Sequence, residues 1–222
     1  MRTLLHHWMS APSRIVRVLL AEMSLPFDLE LERTWERRRE FLAMNPAGEV
    51  PVLIDEDGTT LTDASVIWEY LAEVHPESSL IGADPVSRAE CRRLANWFNV
   101  KFAFEVTENL IGEKVLKRFQ GQGYPNSDAI RAGKANIHYH LDYIAFLADR
   151  RNWLSGNSFS LADIAAGAHL STVDYLGDVP WDEHPGAKDW YARIKSRPSF
   201  RPLLSDTIPG MTPVPHYADL DF

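Results

Sequence analysis

The feature that most constrains the fold is the stretch Asn45-Pro46-Ala47-Gly48-Glu49-Val50-Pro51-Val52-Leu53-Ile54, continued by Asp63-Ala64-Ser65-Val66-Ile67-Trp68-Glu69-Tyr70-Leu71. Asn45-Pro46 ends a helix, because proline cannot continue one, and Ala47-Gly48 turns the chain, because glycine accepts positive φ. Val52, Leu53 and Ile54 form a short apolar run, and Asp57-Gly58 is a hairpin signal. Asp63 stands where a helix N-cap belongs, ahead of an apolar pattern at Val66, Ile67, Tyr70, Leu71 and Val74. The stretch therefore reads as loop, strand, tight turn, short strand and helix.

Upstream, residues 3–8 read as a first strand and residues 13–23 as a helix carrying Ile15, Val16, Val18, Leu19 and Met23, with Ser13 able to cap it. Leu25-Pro26 breaks that helix, Phe27-Asp28-Leu29-Glu30-Leu31 alternates like a half-buried strand, and a second helix is expected over 35–44. From Pro85 onward no strand or hairpin signal recurs. Leu94, Trp97, Phe98, Phe102, Val106, Leu110 and Ile111 trace one face of a long helix, and Ile130, Ile137, Leu141, Ile144 and Leu147 one face of another that ends near Arg150. Ser160-Leu161-Ala162-Asp163-Ile164 carries a capping box, Ser160 at N-cap and Asp163 at N3, with Phe159 and Ile164 spaced as a hydrophobic staple. Asp163 is thus a folding residue and not a catalytic acid. Last helices are expected over 185–197 and 199–205.

The Asn45–Leu71 order resembles the core of the thioredoxin-like domain of glutathione S-transferases, which runs NPxGxVPVL, a hairpin, an acidic residue, a serine and a helix. The segment from Trp153 to Ile164 closely matches the same family's buried (F/W)LxGxxxSLADI element. The resemblance implies an α/β thioredoxin-like N-terminal domain followed by an all-α C-terminal domain. On this sequence that means residues 1–76, a polar linker at 77–84 between Pro76 and Pro85 and a helical domain over 85–205. Beyond them, three prolines favour an extended, Pro-rich tail over 206–222, which either wraps the domain, as is usual at chain ends, or serves as a partner-binding arm. It also implies a cis bond before Pro51, which turns the Val50 main chain toward the backbone of glutathione.

If the chain were an enzyme, the resemblance would place a hydroxyl at the end of strand one to stabilise the glutathione thiolate. Ser10 is the first candidate and Ser13 the second. Val50, Pro51, Asp63 and Ser65 would form the glutathione-like cleft. Alignment on Ile67 and Tyr70 puts Asp63 at the family's acidic position but Ala64 where its serine belongs. A charge-assisted hydrogen bond of that kind contributes about 1.5–3 kcal/mol, so its loss weakens glutathione binding roughly 10- to 100-fold. Catalysis is accordingly not expected, and neither is a cofactor; glutathione enters only under the alternative reading, a transferase acting on small electrophiles.

Charge and composition narrow the partners. The net charge of −8 argues against nucleic acid, and no apolar run approaches the roughly 18 residues of a membrane span. A single cysteine, Cys91, fits a reducing compartment, and with no signal-peptide pattern a cytoplasmic protein is expected. Adjacent His6 and His7 point to opposite faces of a strand, and His138 and His140 to different faces of a helix, so no metal is assigned. Arg33, Arg37, Arg38 and Arg39 cluster around Trp35, and Trp35, Arg37 and Arg38 are candidate partner-binding residues. Ala64, the Trp8-Met9-Ser10 segment and the tail ending Asp219-Leu220-Asp221-Phe222 are similar to one branch of the family, which binds the tubulin homologue FtsZ in alphaproteobacterial cell division. That likeness implies a homodimer at the division site that binds FtsZ filaments and affects their curvature and constriction without needing catalysis.

Overall fold

The structure, a computed structural model, describes residues 1–220 and 222. The chain divides into two compact units, residues 1–78 and 79–222, the boundary falling inside the expected linker and the second unit running on through the tail.

The first unit is a four-stranded sheet with helices. Strands β1 (Arg2–His6) and β2 (Phe27–Leu31) pair in parallel, while β3 (Val52–Ile54) pairs antiparallel with β1 and with β4 (Thr60–Thr62), giving the order β2-β1-β3-β4. Leu4 and Leu5 point to opposite faces of β1 and both are buried, so the central strand is covered on both sides. Helix α1 (Ala11–Glu22) packs on β1 and on α3 (Ala64–Val74). Leu5, paired across the sheet with Val52, clusters instead with Phe41 of α2 (Arg39–Met44). β2 is an edge strand, which leaves Leu29 44% exposed where simple alternation would half-bury it.

Two local expectations are corrected here. The cap of α1 is Ser10, not Ser13: proline is tolerated in a first helical turn, so Pro12 sits inside the helix and the helix starts before it. The helix expected over 35–44 is split into a 3₁₀ turn (Thr34–Glu36) and α2. Between them Arg37 adopts a left-handed backbone (φ 46°), and Arg38 is drawn to Glu32, whose carboxylate is wholly buried.

Among the described residues the second unit is built of helices and loops, with no strand beyond isolated bridges at Trp153–Gly156 and Ile208–Met211. Helix α4 (Pro85–Asn96) continues without a break into a π-helical segment (Trp97–Leu116) and a last α turn, α5 (Lys117–Gln120). Phe98, Phe102, Val106 and Leu110 recur every four residues and, with Ile111 and Val115, form the buried face of the π-helical segment. α6 (Ser127–Arg150) packs along this segment, and a Cβ on Gly133 would come within 2.9 Å of Leu110 Cγ, so glycine permits the close crossing. α7 (Leu161–Tyr175) is buried over its whole length and forms the centre of the unit.

Asp163 organises the start of α7 as its capping box requires. Its carboxylate accepts hydrogen bonds from the main-chain N–H of Leu154 (2.9 Å) and Ser160 (3.1 Å) and from Trp190 Nε1 (3.0 Å) of α8 (Pro185–Lys195). Burial pushes its pKa up against these donors. The last expected helix is a 3₁₀ turn (Arg201–Ser205).

The tail does not run free as an extended arm. The Tyr175 hydroxyl donates to Met211 O (2.8 Å) and accepts from Ile208 N–H (3.0 Å), and Tyr217, wholly buried in a 3₁₀ turn (Pro215–Ala218), donates to Leu203 O (3.1 Å). Lys195 is also wholly buried; its Nζ donates to His216 O (2.9 Å) and stands 3.8 Å from the Phe222 ring centre. Asp221 lies outside the described residues. Apolar side chains at Ile208, Tyr217 and Phe222 drive this return, because extended exposure would leave their surface in water.

Candidate functional site

The Ser10 loop is built from the end of β1. His7 lies edge-on to Trp35 (ring centres 5.1 Å apart), and burial lowers its pKa to about 4, so its imidazole is neutral at physiological pH. Arg14, fully buried in α1, donates from Nε to Trp8 O (2.8 Å) and so ties the loop to the helix. Sequence reasoning missed Arg14; the available signal was that two arginines, Arg14 and Arg17, accompany the apolar pattern of α1.

Ser10 Oγ accepts the Ser13 N–H (3.1 Å) and the Ser13 hydroxyl (3.0 Å), and its own hydrogen is directed toward Val50 O at 3.5 Å, a long and weak contact. Ser10 can therefore donate to a sulfur atom only by leaving Val50 O, while its lone pairs already serve as the helix cap. Ser13 is wholly buried. Of the two candidates, only Ser10 is partly accessible.

The opposite wall is the Val50–Pro51 peptide, which is cis. Asn45 holds the loop that leads to it, donating from Nδ2 to Glu49 O (2.7 Å) and accepting from Ala47 N–H (3.2 Å). Gly48 takes φ 73° with Leu42 Cδ2 only 3.2 Å from where a Cβ would sit, a position that glycine alone fills easily.

At the start of α3, Asp63 adopts φ 72°, and its carboxylate accepts from Ser65 N–H (2.6 Å) and from the Ser65 hydroxyl. Ala64, 2% exposed, presents a methyl where the resembling family has a hydroxyl. The chain thus brings together Ser10, Val50 and Pro51, as well as Asp63 and Ser65 at the α3 end, but Ser65 turns inward onto Asp63. The carboxylate of Asp63 already occupies the positive end of the helix, where a ligand carboxylate would otherwise bind.

Trp35, Arg37 and Arg38 stand differently from one another. Trp35 packs on His7, Arg38 is bound by Glu32 and lies 3.8 Å from Glu30, and Arg37 is exposed. Among the described residues no group of three His, Cys, Asp or Glu side chains is already close enough to hold a metal ion, and no helix is long and apolar enough to cross a membrane. Cys91 is buried in α4, and burial raises its pKa.

Residues 9–74 match the family model of the glutathione S-transferase N-terminal domain, and residues 127–193 that of the C-terminal domain. Over the whole chain the sequence is 46% identical to FtsZ-localized protein A of Caulobacter vibrioides, covering 98% of that protein. Among solved structures, the fold matches a glutathione S-transferase from Rhodospirillum rubrum (TM-score 0.98, 58% identity, all of both chains). It also matches FzlA from C. crescentus (TM-score 0.95, 46% identity, all of this chain and 99% of that one). The two domain matches and the full-length similarity agree with the sheet order and the Asp163 cap: the chain belongs to the glutathione S-transferase family.

Proposed function

We propose that this protein is a non-catalytic member of the family that binds FtsZ filaments as a homodimer and regulates their curvature and assembly during constriction, acting in the cytoplasm at the division site. The observation that carries the reading is the 46% identity to FtsZ-localized protein A along the entire chain, both domains and tail included. The start of α3 supports it. A methyl at Ala64 and a serine engaged by Asp63 leave a glutathione carboxylate without its side-chain donor.

The helical unit offers a surface for self-association. Val100 (63% exposed) and Phe104 (70%) on the π segment, with Tyr139 (57%) and Phe146 (50%) on α6, leave large apolar side chains in water. Trp97 joins the two elements by packing against Tyr139 and Tyr143. A two-fold dimer would carry two equivalent filament-binding surfaces, so it could bridge or bend a polymer through avidity. Trp35 and Arg37 are the residues proposed to touch the partner; Arg38 serves there through its bond with Glu32.

Co-sedimentation with polymerised FtsZ tests the proposal. The protein should pellet with polymer in a saturable manner, and a charge reversal at Arg37 should weaken that binding. Recovery entirely in the supernatant would end the FtsZ reading. The second reading, a glutathione S-transferase, is favoured by Ser10 facing Val50 across the cis peptide. Saturable glutathione binding lost in Ser10→Ala, together with turnover of a small electrophile, would establish it.

A further inference from the structure

On the helical unit, far in sequence from the cleft, two histidines meet. His138 of α6 and His184, the residue before Pro185 at the start of α8, place Nδ1 and Nε2 2.9 Å apart. The meeting depends on a close crossing, because a Cβ on Gly186 would lie 3.2 Å from Ala145 Cβ. On its far side, His184 Nδ1 is 3.0 Å from Asp142 Oδ1, and Asp142 follows His138 by one helical turn on the same face of α6. Glu183, 69% exposed, has Oε2 3.9 Å from His138 Nδ1.

We propose that His138 and His184 are two preset ligands of a surface zinc site, which Glu183 and water complete when the ion binds. The tautomers make the pair suitable. The Asp142 carboxylate only accepts, so in the neutral pair the hydrogen of His184 sits on Nδ1 and its Nε2 lone pair faces His138. The Nδ1–H of His138 now fills that lone pair. If His138 moves its hydrogen to Nε2, both facing nitrogens become lone pairs, and the ion takes the place of the shared proton without net proton release.

The geometry requires little movement. Zinc–nitrogen bonds of about 2.0–2.1 Å in tetrahedral coordination place two ligand nitrogens roughly 3.3 Å apart, a few tenths of an ångström beyond their present separation. A third ligand is not yet in place; exposed Glu183 reaches it by a short swing of its side chain. Asp142 then forms the outer partner that orients a zinc-bound imidazole. Imidazole and carboxylate donors together suit zinc, whereas an all-oxygen site would favour magnesium or calcium.

Titration of chelator-treated, tag-free full-length protein with zinc chloride, against a competing zinc indicator, tests the site. One zinc per chain is expected, at least tenfold weaker in His138→Gln and in His184→Gln, and roughly 10- to 100-fold weaker in Asp142→Asn. Should His184→Gln fail to fold, His138→Gln, at a half-exposed position, decides alone. The imidazole signals of His138 and His184 should also shift in NMR spectra at one equivalent of zinc. Zinc affinity unchanged in His138→Gln, or an absence of binding in the wild type at roughly 100 µM zinc, overturns the proposal and leaves the pair as a structural hydrogen bond.

Discussion

At the start of α3, Ala64 puts a methyl group where the family resemblance expects the serine that would hold a glutathione carboxylate. Ala64→Ser should therefore raise glutathione affinity roughly 10- to 100-fold, the equivalent of about 1.5–3 kcal/mol, measured by calorimetric titration of both proteins. An unchanged affinity would mean that Asp63, already seated on the helix end, is the real obstacle. Glu90 supports a second prediction at this scale. Its hydrogen bond with Arg93, joined by one with Arg151, holds its pKa down to about 2, below the usual glutamate value. A carboxylate with a depressed folded-state pKa adds stability above its unfolded value and loses it as pH falls through the folded one. Glu90→Gln should then lower stability by about 1 kcal/mol at neutral pH, and the difference from wild type should shrink between pH 4.5 and 2 in urea melts. A gap that persists at pH 2 would assign the loss to packing.

Individual elements show which features the sequence made legible. Asp63 and Ser160 cap their helices through bonds that span a few residues, and their residue types announce them. Asp163→Ala should strand the donors of Leu154, Ser160 and Trp190 and cost about 3 kcal/mol or more in chemical denaturation. The same local logic put the cap of α1 at Ser13 instead of Ser10, since either serine can cap a helix and the position of Pro12 decides. It also joined the 3₁₀ turn at Trp35 to α2, because the break depends on Arg38 meeting buried Glu32. The tail was illegible for a different reason. Prolines argue for extension, but the groups that hold it lie elsewhere in the chain: the Tyr175 hydroxyl, the Lys195 ammonium, which donates, and the Leu203 carbonyl, which accepts. Gly177 shows how tight that docking is: at φ 72°, a Cβ would stand 2.5 Å from Val214 Cγ1. Gly177→Ala should cost more than about 1 kcal/mol and speed amide exchange over residues 206–220. Unaltered exchange there would show that the tail tolerates movement of Val214.

For the molecule as a whole, the proposed function turns on valence. Two contacts on one dimer could bridge neighbouring filament subunits, which a single weak contact could not. Linked sites gain roughly 10²–10⁴ in avidity without any new contact surface. The exposed pair Val100 and Phe104 is the place to remove that gain, because neither side chain supports the core and each leaves most of its surface in water. Val100→Asp combined with Phe104→Glu should convert a dimer to a monomer in sedimentation velocity while leaving the thermal melt of the helical unit nearly unchanged. If dimerisation supplies the avidity, the monomer should co-sediment with FtsZ polymer at least a hundredfold more weakly and should no longer alter filament curvature in electron micrographs. If it stays dimeric, the self-association face lies elsewhere. If it becomes monomeric yet still curves filaments at the original concentration, one binding surface per molecule is enough, and curvature must come from the shape of that single contact.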